Sequence, residues 1–228
     1  MGDVQLQTLK GVELAGRKAI SPVRETADGV SGGGWFGRDG AMVVKDWYTA
    51  MAEEGRVFNI GLGTPDTTMT GDIGYVNTSP GIALVVPEGV VMVPVHFDVC
   101  FEEAAGTDNY IIIGCDEGDL GVSGGTATST CNNLRTDNPV ASAIVTHLAS
   151  DTAVAMTDPG PSERTLFTWV EAFADNTGNA PMHIVWEPRT PPVLVGPSTF
   201  YVYLYAATTA PEYSFSLQWI ELPKSAVV

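Results

Sequence analysis

Three histidines, at positions 96, 147 and 183, are the side chains in this sequence best suited to acid–base work or to metal ligation. Each stands alone in its own apolar run, in VPVHFDV, AIVTHLA and MHIVWEP. Metal sites and hydrolytic centres place two ligands on one short element, as in HExxH, and no such pairing occurs here. Isolated histidines read as satisfied structural residues. One chemical alternative stays open: distant histidines converging with an acid inside a barrel, as in cupin-like sites, although the compact cupin motif of paired His and Glu is missing.

The densest group of acids comprises Glu102, Glu103, Asp108, Asn109, Asp116, Glu117 and Asp119. Hard oxygen donors of this kind suit Ca²⁺, but their spacing is not that of an EF-hand loop. Paired carboxylates on a β-sandwich also serve glycoside hydrolysis. Such clefts carry exposed aromatics, and Tyr110 is the one aromatic residue between 102 and 119. The group therefore reads as a solvated acidic face. No cofactor is expected; a Ca²⁺ or Na⁺ ion near Glu102, Glu103, Asp116 and Asp119 is the one ion-binding alternative. GVSGG, residues 121–125, has Ser123 but lacks the strand–turn–helix setting of a nucleophile elbow. SGGGWFG, residues 31–37, lacks the Lys and Ser/Thr of a phosphate-binding loop and reads as a glycine hinge bearing Trp35 and Phe36 as packing anchors. Asn77-Thr78-Ser79 fits the N-glycosylation pattern. Cys100, Cys115 and Cys131 are too few and too scattered for a zinc site or a disulfide framework, and a single bridge stays open. The expectation is that the protein is not an enzyme.

The elements that must carry these residues are strands. VVMVPVHFDVCFEE alternates, with Val95, Phe97, Val99 and Phe101 on one face and His96, Asp98, Cys100 and Glu102 on the other. Further strand-like runs are RVFNIGLG, GIALVVPEG, TDNYIIIGCDEG, ASAIVTHLA, TAVAMTD, ERTLFTWVEAFAD and MHIVWEP. Near the end, Phe200, Val202 and Leu204 alternate with Tyr201, Tyr203 and Tyr205. Tyr213, Phe215, Leu217 and Trp219 alternate with Ser214, Ser216 and Gln218. The Thr-Thr-Ala-Pro between these two runs suggests a hairpin connection. Pro87 and Gly89 are expected to turn the chain between sheets. KDWYTAMAEEG, residues 45–55, is a helix candidate with Gly55 as its stop, although Trp47 and Tyr48 would equally suit a strand. The region 116–139 is rich in Gly, Ser, Thr and Asn and reads as a long loop or projection.

Short strands, Gly/Pro/Asn punctuation and little helix predict an all-β fold. Long irregular loops between well-formed strands favour a single jelly-roll β-sandwich or barrel over a tight up-and-down barrel. The expected organisation is an extended N-terminal arm over 1–44 and a barrel over 45–228, with a loop-rich insertion around 104–165. The 228 residues are long enough to bury a proper core. With 27 acids against 11 bases the net charge is −16, which excludes a phosphate backbone or an anionic membrane surface as a partner. Such acidity serves solubility in general, and scarce lysine with abundant Asp points further, to very high salt. MGDVQLQTLK lacks the basic-then-apolar pattern of a signal peptide, and no run reaches the roughly 18 apolar residues of a membrane span.

ALVVPEGVVMVPVHFDVCFEE and STFYVYLYAATTAPEYSFSLQWIELP, set in this acidic, lysine-poor composition, resemble the vertical single β-barrel (single jelly-roll) major capsid proteins of haloarchaeal icosahedral viruses with an internal membrane. The length suits the larger of the two capsid proteins in such shells. The resemblance covers most of residues 56–223 in style only, without a diagnostic motif. It implies a barrel standing perpendicular to the shell and capsomers built from copies of this chain and a second capsid protein. It also implies an outward tower within 104–165, an internal viral membrane nearby and no direct contact with nucleic acid. The protein would then be made in the host cytoplasm and reside in the virion. The expected function is self-assembly into the capsid, with Trp35, Phe36, Tyr201, Tyr203 and Tyr205 as interface anchors. The rival readings are a carbohydrate- or receptor-binding β-sandwich, such as a spike or lectin-like module, a cupin-like or hydrolytic jelly roll, and a capsid decoration protein.

Overall fold

The computed structural model describes residues 17–18, 35–36, 47–63, 68–103, 108–128, 131–137, 140–149, 152–172 and 182–227. The chain divides into two compact units, 1–54 and 55–228. In the first, β1 (Arg17–Lys18) and β2 (Trp35–Phe36) pair in parallel, and α1 spans Trp47–Glu53. The helix candidate is thus a helix, on the N-terminal side of a division that falls ten residues beyond the expected 44/45. Gly55 follows it at φ +72°, a conformation open to glycine and costly for other residues.

The second unit is a sandwich of two sheets. Its elements in chain order are β3 (Val57–Leu62), β4 (Met69–Thr70), β5 (Asp72–Ile73), β6 (Ile82–Val86), β7 (Val90–Glu103) and β8 (Asp108–Glu117). Then come β9 (Ser123–Gly124), β10 (Thr126–Thr128), β11 (Asn132–Asn133), β12 (Val145–Leu148) and β13 (Val154–Ala155). The chain closes with β14 (Arg164–Ala172), β15 (Met182–Trp186), β16 (Leu194–Val195), β17 (Ser198–Ala206), β18 (Glu212–Pro223) and a short 3₁₀ turn. Sheet I has the order β11-β3-β18-β7-β15, with β16 on β7 and β4 on β18. Sheet II has the order β10-β12-β6-β17-β8-β14, with β5 alongside β17.

The eight long strands show how the chain rolls up. In sequence they are β3, β6, β7, β8, β14, β15, β17 and β18. The first pairs with the last (β3–β18), the second with the seventh (β6–β17), the third with the sixth (β7–β15) and the fourth with the fifth (β8–β14). That is the pairing of a long antiparallel hairpin folded over on itself, the arrangement an expected jelly roll requires. Each consecutive pair except β8–β14 crosses from one sheet to the other. Thr208–Pro211 is therefore not a hairpin: β17 lies in sheet II and β18 in sheet I, and the two do not pair. The Pro87–Gly89 turn does cross between sheets, as expected.

The main core lies between the sheets and joins Phe58, Leu84, Phe97, Ile113, Phe200 and Trp219 with their neighbours. β7 enters it with a change of phase. Gln218 is opposite His96 and Trp219 is opposite Pro94, so Val95 is an extra residue in the ladder. Such a bulge reverses which side chains face inward. Met92 therefore joins Phe97, Val99 and Phe101 in the core, although a plain alternation would have turned it out.

β17 and β18 show what covers each sheet. In β18 buried and half-buried residues alternate throughout its first half, so sheet I has one open face. β17 is buried at all but one position. The segment 118–163 inserted between β8 and β14 accounts for this. Leu120, Val154 and Met156 pack with Ala83, Tyr201 and Tyr203 into a second core on the outer face of sheet II. The expected insertion began at 104, but residues 108–117 are β8, an inner strand of sheet II between β17 and β14. Among the described residues, no helix is long and apolar enough to cross a membrane.

Candidate interaction surfaces

The anchor residues expected from the sequence occupy different settings. Trp35 and Phe36 form β2 and take their backbone partners from Arg17 and Lys18. Tyr201 and Tyr203, 0% and 2% exposed, are enclosed by the chain itself and present nothing to a neighbour. The Tyr201 hydroxyl donates to Glu163 at 3.1 Å, and that of Tyr203 donates to the Asn77 carbonyl at 2.5 Å. Asn77 in turn donates to Asp158 at 2.6 Å. These bonds latch the insertion and the loop before β6 onto the tyrosine row. Burial pushes both phenols well above the usual tyrosine range, with the Glu163 carboxylate adding to it at Tyr201. Tyr205 is half-buried and lies parallel to Tyr110, ring centres 4.7 Å apart, as its direct cross-strand neighbour.

The histidines do not meet inside the barrel. His147, on β12 in sheet II, donates to the Gly124 carbonyl at 3.0 Å. His96 and His183 do approach each other, on the outer face of sheet I. There His183 Nε2 lies 3.1 Å from Asp98 Oδ2, while His96 Nε2 is 3.9 Å from the same oxygen. His96 Nδ1 donates to Glu187 at 2.8 Å. The convergence was invisible in the sequence because β7 and β15 are paired from positions some 85 residues apart, and only their register brings these groups together. It makes an alternating row of imidazoles and carboxylates rather than a cage. Among the described residues no group of three or more His, Cys, Asp or Glu is arranged to hold a metal ion.

The acid group is pulled apart. Glu102 and Glu103 end β7 next to the start of β8, whereas Asp116 and Asp119 lie at its far end. Asp108 and Asp116 are eight strand residues apart, about 27 Å, so one ion cannot engage the four residues named for it. Asp116 is buried and accepts from Ser162 at 2.8 Å; Asp119 accepts from the Gly121 amide at 2.8 Å. Ser123 lies in the two-residue strand β9, opposite Ala155, and not on a nucleophile elbow. Cys100, Cys115 and Cys131 form no disulfide. Burial raises the thiol pKa of Cys115 and Cys131, which disfavours the thiolate form.

Besides the outer face of sheet I, two features among the described residues are open to a partner. One is a cleft of about 440 Å³ at an end of the sandwich, lined by Glu117, Arg164, Ser198 and Lys224, where the Arg164 guanidinium pairs with Glu117. The other is the side of the sandwich where the sheets end in β14 and β15. There Val170 and Val185 are exposed, and Leu166, Phe167 and Trp169 are only half-buried against the core. No family model, curated protein or solved structure matches this chain.

Proposed function

We propose that this protein is a structural subunit of a virion shell, assembling with copies of itself and with a second capsid protein. The observation that carries the reading is the pairing of the eight long strands, first with last through fourth with fifth, in a body whose outer sheet II face is already closed by its own insertion. Such a barrel meets its neighbours through its edges, its ends and its open sheet face. Each stable contact needs to remove about 1,000 Å² from water. On this reading the shell encloses an internal membrane, and the acidic barrel makes no direct contact with nucleic acid.

The charge adds a condition to assembly. Copies bearing −16 repel at low ionic strength, and molar salt shortens the range of that repulsion to about 3 Å. Light scattering and electron microscopy of the purified protein at near-saturating and at low salt test the proposal. Multimers or capsomer-like particles at high salt that dissociate on dilution are expected. A monomer at both extremes overturns the reading.

A further inference from the structure

The two sides of the sandwich are finished differently. On one side the insertion extends both sheets: β12 and β10 continue sheet II beyond β6, and β11 continues sheet I beyond β3. The outermost strands there are three and two residues long, the short edge that resists further pairing. On the other side sheet II ends in β14, nine residues of sequence RTLFTWVEA. Among the described residues no strand pairs with its outer edge. It contains neither the Lys nor the Pro that commonly blunts an exposed edge.

We propose that β14 is a homotypic docking edge, which pairs antiparallel with β14 of a second copy about a two-fold axis through Thr168 and so joins sheet II of the two copies. The inference rests on the assembly reading above and names one contact within it. The order of residues along the strand carries it. Against β8 the ladder is irregular between Thr165 and Phe167, which leaves Leu166 out of the count. With the same count on the free edge, an antiparallel copy centred on Thr168 sets Phe167 opposite Trp169 of the second copy. Thr165 then meets Val170 and Arg164 meets Glu171, and symmetry makes each pair twice.

The faces agree as well as the charges. Directly opposite residues of an antiparallel pair must share a face. Register with β8 puts Arg164, Phe167, Trp169 and Glu171 on the side of Cys115, Ile113, Ile111 and Asn109. Thr165, Thr168 and Val170 fall on the other side, opposite Gly114, Ile112 and Tyr110. Every pair in the centred register therefore joins like with like. A slip of one residue mismatches all of them, and a slip of two leaves Arg164 without Glu171. Arg164 is 65% exposed and already pairs with Glu117, and its five donors can serve a second carboxylate. The pairing would also cover Phe167 and Trp169, which the single chain leaves half-buried.

Cross-linking and charge exchange test the contact. In a Cys100→Ser background, Thr168→Cys should oxidise under copper–phenanthroline to a dimer whose 168–168 disulfide is found by peptide mass spectrometry, because paired strands bring those Cα atoms within disulfide range. Thr165→Cys and Val170→Cys should each fail to self-link, yet link to one another when mixed. In sedimentation velocity at one fixed salt, Arg164→Glu or Glu171→Arg alone should raise the dimer dissociation constant roughly tenfold. The double variant R164E/E171R, or the two single variants mixed, should restore association. Salt-dependent particles with no 168–168 link and no response to the exchange overturn this edge while leaving the shell reading intact. A linked, exchange-sensitive dimer that never builds larger particles upholds the edge and overturns the shell. A monomer under all conditions overturns both.

Discussion

Gly114 interrupts the apolar run of β8 for a reason found across the sheet. It lies directly opposite Tyr201, whose ring covers it so closely that a Cβ would overlap the ring. Glycine inside a strand commonly marks such a close approach. The ring cannot yield, because Tyr201 is held below by the second core and at its hydroxyl by Glu163. Gly114→Ala is therefore expected to destabilise the fold by about 1–3 kcal/mol through overpacking, read as a lowered urea midpoint with an unchanged slope. Glu221 is a second residue whose work depends on distant neighbours. Its carboxylate receives the Trp219 indole N–H at 2.9 Å, the Ala143 amide at 3.0 Å and the Ser142 hydroxyl, tying the return of the insertion to β18.

At the scale of elements, the insertion acts as a cover. Its strands are short and make few ladder bonds: β9 and β13 pair over two residues each. What holds it is the burial of Leu120, Val154 and Met156 on the tyrosine row, with the latch bonds at the rim. A charge placed in that layer should release it while leaving the main core intact. Val154 is fully buried, so Val154→Asp puts an unpaired carboxylate where no partner is at hand. Limited proteolysis should then cut within 118–163 well before the sandwich, while the far-ultraviolet signal of the sheets persists. Simultaneous loss of both would show that the insertion and the sandwich form one cooperative unit.

For the whole molecule, buried tyrosines link both cores to pH. Tyr213 in the main core and Tyr201 and Tyr203 in the second are held far above the usual phenol range, foremost by burial. A group with a raised folded-state pKa contributes its full stability below the unfolded value, near 10, and loses it as pH rises beyond. Each such phenol removes up to about 1.4 kcal/mol per pH unit above that point. The protein should keep its stability through pH 9 and unfold steeply above pH 10. Tyrosinate absorbance from these three residues should appear together with the loss of sheet signal. Tyrosinate forming in an intact fold would contradict their burial. The charge of −16 acts in the same direction, since further negative charge adds to self-repulsion.

By itself the sequence determined where the long strands lie, that the fold is all-β, and which face of β17, β18 and the Phe97–Phe101 half of β7 points to the main core. Each of these is written in a local period of two that needs no knowledge of partners. It also marked the helix at Trp47–Glu53 and the crossing at Pro87–Gly89. Only the tertiary structure decided which strands pair, because pairing joins positions far apart in the chain. That is why Thr208–Pro211 proved a crossing between sheets, why His96 and His183 came to share Asp98, and why the acids around β8 parted to its two ends. The tyrosine row shows the limit most plainly. Tyrosine suits a wet face and a buried one alike, having an apolar ring and a polar tip, so nothing within STFYVYLYA could say that a segment forty residues upstream would fold back to cover it.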